Sequence, residues 1–120
     1  MALWLNQHLT DSTRVLVSPA LRTQQTAAAL GRPFRTVDSL APGASVQDVL
    51  KAARYPLSRE AVLVVGHQPT LGWVIAELMD ATNPAQAWSI RKGAVWWLQW
   101  REREGHPQVT LRTVLGPDTL

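Results

Sequence analysis

Cysteine is absent from the chain. That excludes disulfides, thiolate nucleophiles and cysteine-based zinc sites, and nothing argues for an oxidising compartment. An excess of one charge is missing too. Lysine and arginine number 12 against 9 acidic residues, for a formal charge of +3, and the basic residues are scattered rather than blocked. Such a balance favours small anions mildly and falls short of a nucleic-acid-binding pattern. No apolar run approaches membrane-spanning length, and the segment after Met1 has neither the basic start nor the small-residue cleavage site of a secretory signal. The expectation is a soluble cytoplasmic protein with no nucleic-acid and no membrane partner. Internal repeats and low-complexity stretches are also lacking, and the segments around Pro42, Pro84 and Pro107 read as loops. With 46% hydrophobic residues in 120, residues 1–120 are expected to form one domain around a single core.

The apolar residues that are present alternate between two kinds of pattern. Met1 to Leu9 is helix-favouring but has no capping residue in front of it, and reads like the second half of a helix. After a turn at Asp11 and Ser12, Arg14 to Ser18 (RVLVS) is a short continuous apolar run, as in a parallel strand covered on both faces. Ser18-Pro19 supplies an N-cap and first position for a helix to Leu30, stopped at Gly31. Phe34 to Val37 forms a short strand, and Ala41 to Ala44 a loop. Ser45 with Asp48 forms a capping box for a helix through Ala53 that Tyr55-Pro56 closes. Ala61 to Val65 (AVLVV) is a second buried strand, and Leu71, Val74, Ile75 and Leu78 place a helix running to about Asp80. This order predicts an α/β fold with a mostly parallel sheet. Ala94 to Trp100 and Val109 to Val114 read as two more strands. The polar stretch Arg101 to Gln108 connects them, as a hairpin or meander joined to the main sheet.

In parallel sheets ligands bind beyond the carboxyl ends of the strands, where helix N-termini point free N–H groups outward. Two polar segments fall there. In SPALRTQQTA, Ser18 to Ala27, Arg22 sits in the first helical turn with a guanidinium fork suited to phosphate. In GHQPT, Gly66 to Thr70, Gly66 permits close backbone approach and His67 presents an imidazole at the strand tip. Either residue alone is more often structural or solvated than functional. Their placement on one rim makes them candidates for a phosphate site together with Ser18.

The string SPALRTQQTA, followed by VLVVGHQPT and later by SIRKGAVWWLQW (Ser89 to Trp100), resembles the histidine phosphatase superfamily. Within it, the resemblance is to the short SixA-type phosphohistidine phosphatases, and it covers essentially the whole chain. It implies a phosphoglycerate mutase-like fold, a three-layer α/β/α sandwich. It also implies that Arg22 is the second phosphate-binding arginine, that His67 is the second histidine of the catalytic pocket, and that neither metal nor cofactor is needed. The implied substrate is a phosphohistidine-containing protein such as a phosphorelay phosphotransfer domain. A small-molecule phosphomonoesterase of the same superfamily and a non-catalytic phosphate-binding remnant are the alternatives.

One motif of that family is missing. Its members carry an arginine-histidine pair at the end of the first strand, and that histidine is transiently phosphorylated; no Arg-His pair occurs in this chain. His8, in a helix-like run, and His106, in a polar stretch, do not follow a buried strand. The expectation is that a first strand and its catalytic loop precede Met1, which reads as an internal methionine or the edge of a truncated gene. In-frame translation upstream should show a strand ending in Arg-His; a stop codon or unrelated sequence there would contradict a misplaced start. A chain lacking that strand would expose an unpaired sheet edge, an aggregation hazard that dimerisation can mask. Asp38 is the acid in the loop where relatives place a proton donor, and reads as a turn residue. Trp96 and Trp100 share one strand face with Leu98, and Trp97 faces the other way, as packing aromatics do. Arg91 and Lys92 read as solvated surface, with docking of an acidic partner as the functional alternative.

Overall fold

The computed structural model describes residues 2–79 and 95–115. Its centre is β1 (Arg14–Val17), a strand whose last three residues are buried. On one side β1 pairs in parallel with β2 (Arg35–Thr36), and on the other with β3 (Val62–Val65), in register Arg14↔Val62 to Val17↔Val65. The sheet order is therefore β2-β1-β3. A run of apolar residues with no polar alternation requires cover on both faces. The cores supply it. On one face Val15 and Val17, with Leu63 and Val65, pack on Leu5 of α1 (Ala2–His8), on Ala27 of α2 (Leu21–Ala28) and on Leu30. On the other face Leu16, with Val62 and Val64, packs on Leu40, on Val49 of α3 (Val46–Ala53) and on Val74 of α4 (Thr70–Leu78). The expected three-layer α/β/α architecture is what the chain forms. Among the described residues β3 has a strand on one edge only. For that reason a sequence that reads as fully buried is half-buried along its whole length.

Local chemistry accounts for the element ends. The Ser45 hydroxyl accepts from the Asp48 N–H, and the Asp48 carboxylate accepts from the Ser45 N–H, both at 3.0 Å, closing the expected capping box on α3. These contacts, led by the Ser45 backbone N–H, hold the Asp48 carboxyl below its usual range. A depressed carboxyl contributes stability that is fully present above its unfolded value and is lost as pH falls through its folded value. Ser45→Ala removes the acceptor of the Asp48 N–H and is expected to cost about 1 kcal/mol, as loss of an N-cap side chain does. Alanine keeps the backbone N–H that Asp48 accepts, so parent and variant should both lose stability below about pH 4 and most of their difference should persist, as read by urea unfolding at a series of pH values. Arg32 closes α1 from outside: its guanidinium donates to the carbonyls of Thr10 and Leu9 and to Asn6 Oδ1, and Asn6 Nδ2 donates to the Leu30 carbonyl. Orphan carbonyls at a helix end are satisfied in this way.

Three expectations change. The helix predicted from Pro19 starts at Leu21, its N-cap is Ala20, and no side chain caps it, because the Ser18 hydroxyl is used elsewhere. The last two strands are longer than their apolar cores: β4 (Val95–Arg103) and β5 (His106–Leu115) run through the polar stretch and meet at Glu104-Gly105. Both turn residues have positive φ, 53° and 77°. Paired positive φ values are the type I′ signature that matches strand twist, so a two-residue turn replaces a loop of eight. Finally, β4 and β5 form a separate two-stranded antiparallel sheet rather than joining the parallel one. The hairpin instead meets α1 through side chains. Trp97 lies edge-on to Trp4 with ring centroids 6.0 Å apart, Arg112 sits 4.4 Å over the Trp97 ring, and Val95 packs on the first core. Met1, Asp80, Pro84, Ser89, Arg91, Lys92 and Ala94 lie outside the described residues.

Candidate functional site

The parallel register brings the carboxyl ends of β1 and β3 level, Val17 beside Val65. The ladder continues one residue further, with the Ser18 N–H donating to the Val65 carbonyl at 3.0 Å. This places Ser18 beside the segment that follows β3. Ser18 is fully buried, at 0% exposure, and its Oγ lies 2.7 Å from Nε2 of His67. The same oxygen accepts the Ala20 N–H at 3.2 Å. The Ser18 carbonyl accepts from Thr23 Oγ1 at 2.9 Å and from Gln24 Nε2 at 2.8 Å. Gln24 Nε2 also reaches Thr36 Oγ1 at the end of β2. The rim of all three parallel strands is thereby tied to the first turn of α2.

Arg22 stands exposed in that first turn. Its backbone carbonyl accepts from Thr26 Oγ1, and among the described residues its guanidinium has no carboxylate partner. Among the described residues no side chain caps α2, which leaves the first-turn N–H groups beside Arg22 without a capping partner there. An uncapped helix start with an unpaired guanidinium attracts a small anion by dipole, by N–H donors and by charge. The start of α4 differs from expectation here. Its amides are satisfied internally, Leu71 N–H by the His67 carbonyl, Gly72 N–H by Gln68 Oε1 and Trp73 N–H by the Pro69 carbonyl. It therefore contributes dipole but few free donors. Gly66 is also not forced by packing: a Cβ there would meet Leu71 at an ordinary 3.5 Å. His67 is half-buried and lines a shallow depression with Leu40, Ala44, Val64 and Leu71. Thr70 Oγ1 donates to the Ala44 carbonyl and holds the loop over this depression in place.

The remaining candidates lie apart from this cluster. Asp38 begins a 3-10 turn over Asp38–Leu40 and is exposed. His8 is stacked on Trp4 with ring centroids 4.1 Å apart, and its Nδ1 lies 2.8 Å from the Trp4 carbonyl. His106 begins β5. Among the described residues there is no group of three or more His, Cys, Asp or Glu that would hold a metal ion. None of their helices is long and apolar enough to cross a membrane. Sequence reasoning missed Thr23, Gln24 and Gln68. All three lie inside the two polar segments already singled out, but their part is to brace the rim, and short polar side chains near a helix start give no signal that separates bracing from ligand contact.

Phosphohistidine phosphatase SixA of Escherichia coli (strain K12) is 34% identical to this chain over 93 residues, which cover 70% of the chain and 57% of that protein. A solved structure from Nakamurella multipartitia, of a protein assigned as phosphohistidine phosphatase SixA, superposes with a TM-score of 0.70 at 28% identity. It covers 97% of this chain and 77% of that one. The chain is related to the SixA-type histidine phosphatases. The relationship carries the fold with it, a phosphoglycerate mutase-like sandwich around a parallel sheet. The chain spans little more than half the length of the Escherichia coli SixA protein. No family profile matches the sequence.

Proposed function

We propose that the chain carries the phosphate-holding part of a phosphohistidine phosphatase pocket, with Arg22 and His67 as the groups that bind the phosphoryl oxygens. The observation that supports this most is the 2.7 Å contact between Ser18 and His67, which fixes an imidazole at the strand ends beside an open helix start bearing Arg22. In phosphoryl transfer most of the barrier reduction comes from holding and neutralising the equatorial oxygens. An arginine fork, an imidazolium and a helix dipole are suited to that work.

In the reaction the SixA-type relationship implies, an imidazole nitrogen attacks phosphorus in line and the bond to the leaving group breaks. Water then takes the phosphoryl group from the nitrogen and inorganic phosphate departs. A phosphohistidine leaving group is an imidazole, which departs with little help from a general acid. Asp38, exposed on its 3-10 turn, is not needed for such a substrate. A protein substrate also fits Leu21, which stands 73% exposed directly beside Arg22. Such a protein would be a phosphohistidine-bearing signalling domain in the cytoplasm. A panel of a phosphohistidine peptide and sugar phosphates, assayed with the protein and with His67→Ala, tests the reading. The 120 residues lack the nucleophile's Arg-His pair and are expected to be inactive by themselves, so binding of the peptide, weakened in the variant, is the expected result; preference for sugar phosphates would favour a small-molecule phosphomonoesterase instead.

The missing Arg-His pair favours a second reading for the 120 residues by themselves, a phosphate- or phosphoprotein-binding unit that does not turn over. Mass spectrometry after incubation with a small phosphoryl donor separates the two. Acid-labile phosphate on the chain contradicts the binding-only reading, and an unmodified chain that still binds phosphate supports it.

A further inference from the structure

The contact between Ser18 and His67 decides more than where the imidazole sits. Ser18 Oγ is a fully enclosed atom. It is fixed from its own backbone side by the Ala20 N–H, and its carbonyl is held by both Thr23 and Gln24. A side chain so constrained is a poor direct ligand for a solvent-borne anion but a firm anchor for a neighbour. A hydroxyl has one proton and two lone pairs. One lone pair takes the Ala20 N–H, which leaves the proton and the second lone pair for Nε2 of His67.

We propose that Ser18 is a positioning residue that ties up Nε2 of His67 and so makes Nδ1 the ring nitrogen His67 offers to an anion. The tautomer of a neutral imidazole is set by the hydrogen bond its other nitrogen makes. With the Ser18 O–H donating to Nε2, the neutral ring carries its proton on Nδ1. With the ring charged, Nε2–H donates to Ser18 Oγ and Nδ1–H still points away from it. In both charge states the outward nitrogen is a donor, which is what a phosphoryl oxygen requires. Among the described residues the ring's side-chain hydrogen bond is to Ser18 through Nε2, so Nδ1 has no competing partner there. The identity of the anion rests on the phosphate reading above; the engagement of Nε2 does not.

Long-range 1H–15N NMR of the 15N-labelled chain tests this. The chain has 3 histidines, and His67 is identified as the ring lost in His67→Gln. The expected neutral-ring spectrum has Nδ1 protonated and Nε2 as a hydrogen-bonded acceptor, and inorganic phosphate shifts Nδ1 and leaves Nε2 in place. Ser18→Ala should release the tautomer and weaken phosphate binding about 3–10-fold, while Ser18→Thr, which keeps the hydroxyl, restores both. A neutral ring protonated on Nε2, or a phosphate-induced shift at Nε2, overturns the proposal. Should Ser18→Ala fail to fold, the unliganded spectrum of the unaltered protein still decides, since it reads the tautomer directly. If phosphate shifts neither nitrogen while Nε2 is a hydrogen-bonded acceptor, the phosphate reading fails and the role of Ser18 stands.

Discussion

Replacing Arg22 by alanine weakens binding of inorganic phosphate by about 10–100-fold, the effect expected when a charge-assisted, bidentate hydrogen bond is removed. The size follows from the absence of a competitor. Among the described residues, the carboxylate in a salt bridge, Glu60, is paired with Arg14 at 3.4 Å, at the opposite end of the strands. The guanidinium of Arg22 therefore gives up no ion pair when phosphate arrives. Lysine at position 22 keeps the charge but loses the planar fork, so Arg22→Lys should fall between the parent and alanine. Arg59→Ala is the matched control, since it removes the same charge from an exposed position before β3. It should leave phosphate affinity unchanged apart from a small, salt-screened effect. Calorimetric titration of the four proteins gives the comparison. Equal losses in Arg22→Ala and Arg59→Ala would reduce the Arg22 effect to general charge.

The largest expected loss of stability is at Leu16. It is 3% exposed at the middle of the central strand, and it packs on Leu40, Val49 and Val74 from the loop and from two different helices. Truncation to alanine removes buried methylenes and leaves a cavity that three separate elements must collapse to fill. A cost of about 2–5 kcal/mol is expected. Set against a typical total stability of about 5–15 kcal/mol, that is a large fraction of what holds a domain folded. Denaturant unfolding measures it, with an unchanged slope and a lower midpoint as the expected pattern. Leu57→Ala, at a position 85% exposed, serves as the contrast and should lie within about 0.5 kcal/mol of the parent.

Much of this architecture was legible from residue pattern because the core is made by period and not by detail. RVLVS and AVLVV have no polar alternation and so must be covered on both faces, and the helical spacing of Leu71, Val74, Ile75 and Leu78 supplies one of the covers. The capping box at Ser45 and Asp48 was equally plain, since both partners are local in sequence. The hairpin was legible as two apolar runs, but its extent was not. Its strands run on through Arg101 to Gln108 because a two-residue turn at Glu104-Gly105 lets polar residues pair in a ladder, and polar residues in a two-stranded ribbon look like loop. Its separation from the parallel sheet depends on long-range pairing, on which local pattern is silent.

The site divides in the same way. The Ser-Pro and Gly-His segments were visible as polar residues ending apolar strands, and their rim position follows from parallel topology. What Ser18 does with its hydroxyl was not visible. A serine before proline at a helix start reads as a cap, yet it forgoes capping α2 and turns to a histidine 49 positions away. A contact made through the sheet register leaves no trace in local sequence.

On the proposed reading, Arg22 and His67 hold one phosphoryl group between them. A crystal structure of the chain with tungstate, a phosphate mimic that scatters anomalously, tests it most directly. The expected result is a single anomalous peak within hydrogen-bond distance of both the Arg22 guanidinium and the His67 ring, at the open start of α2. A peak bound elsewhere, or one that touches Arg22 while His67 makes no contact, would contradict it.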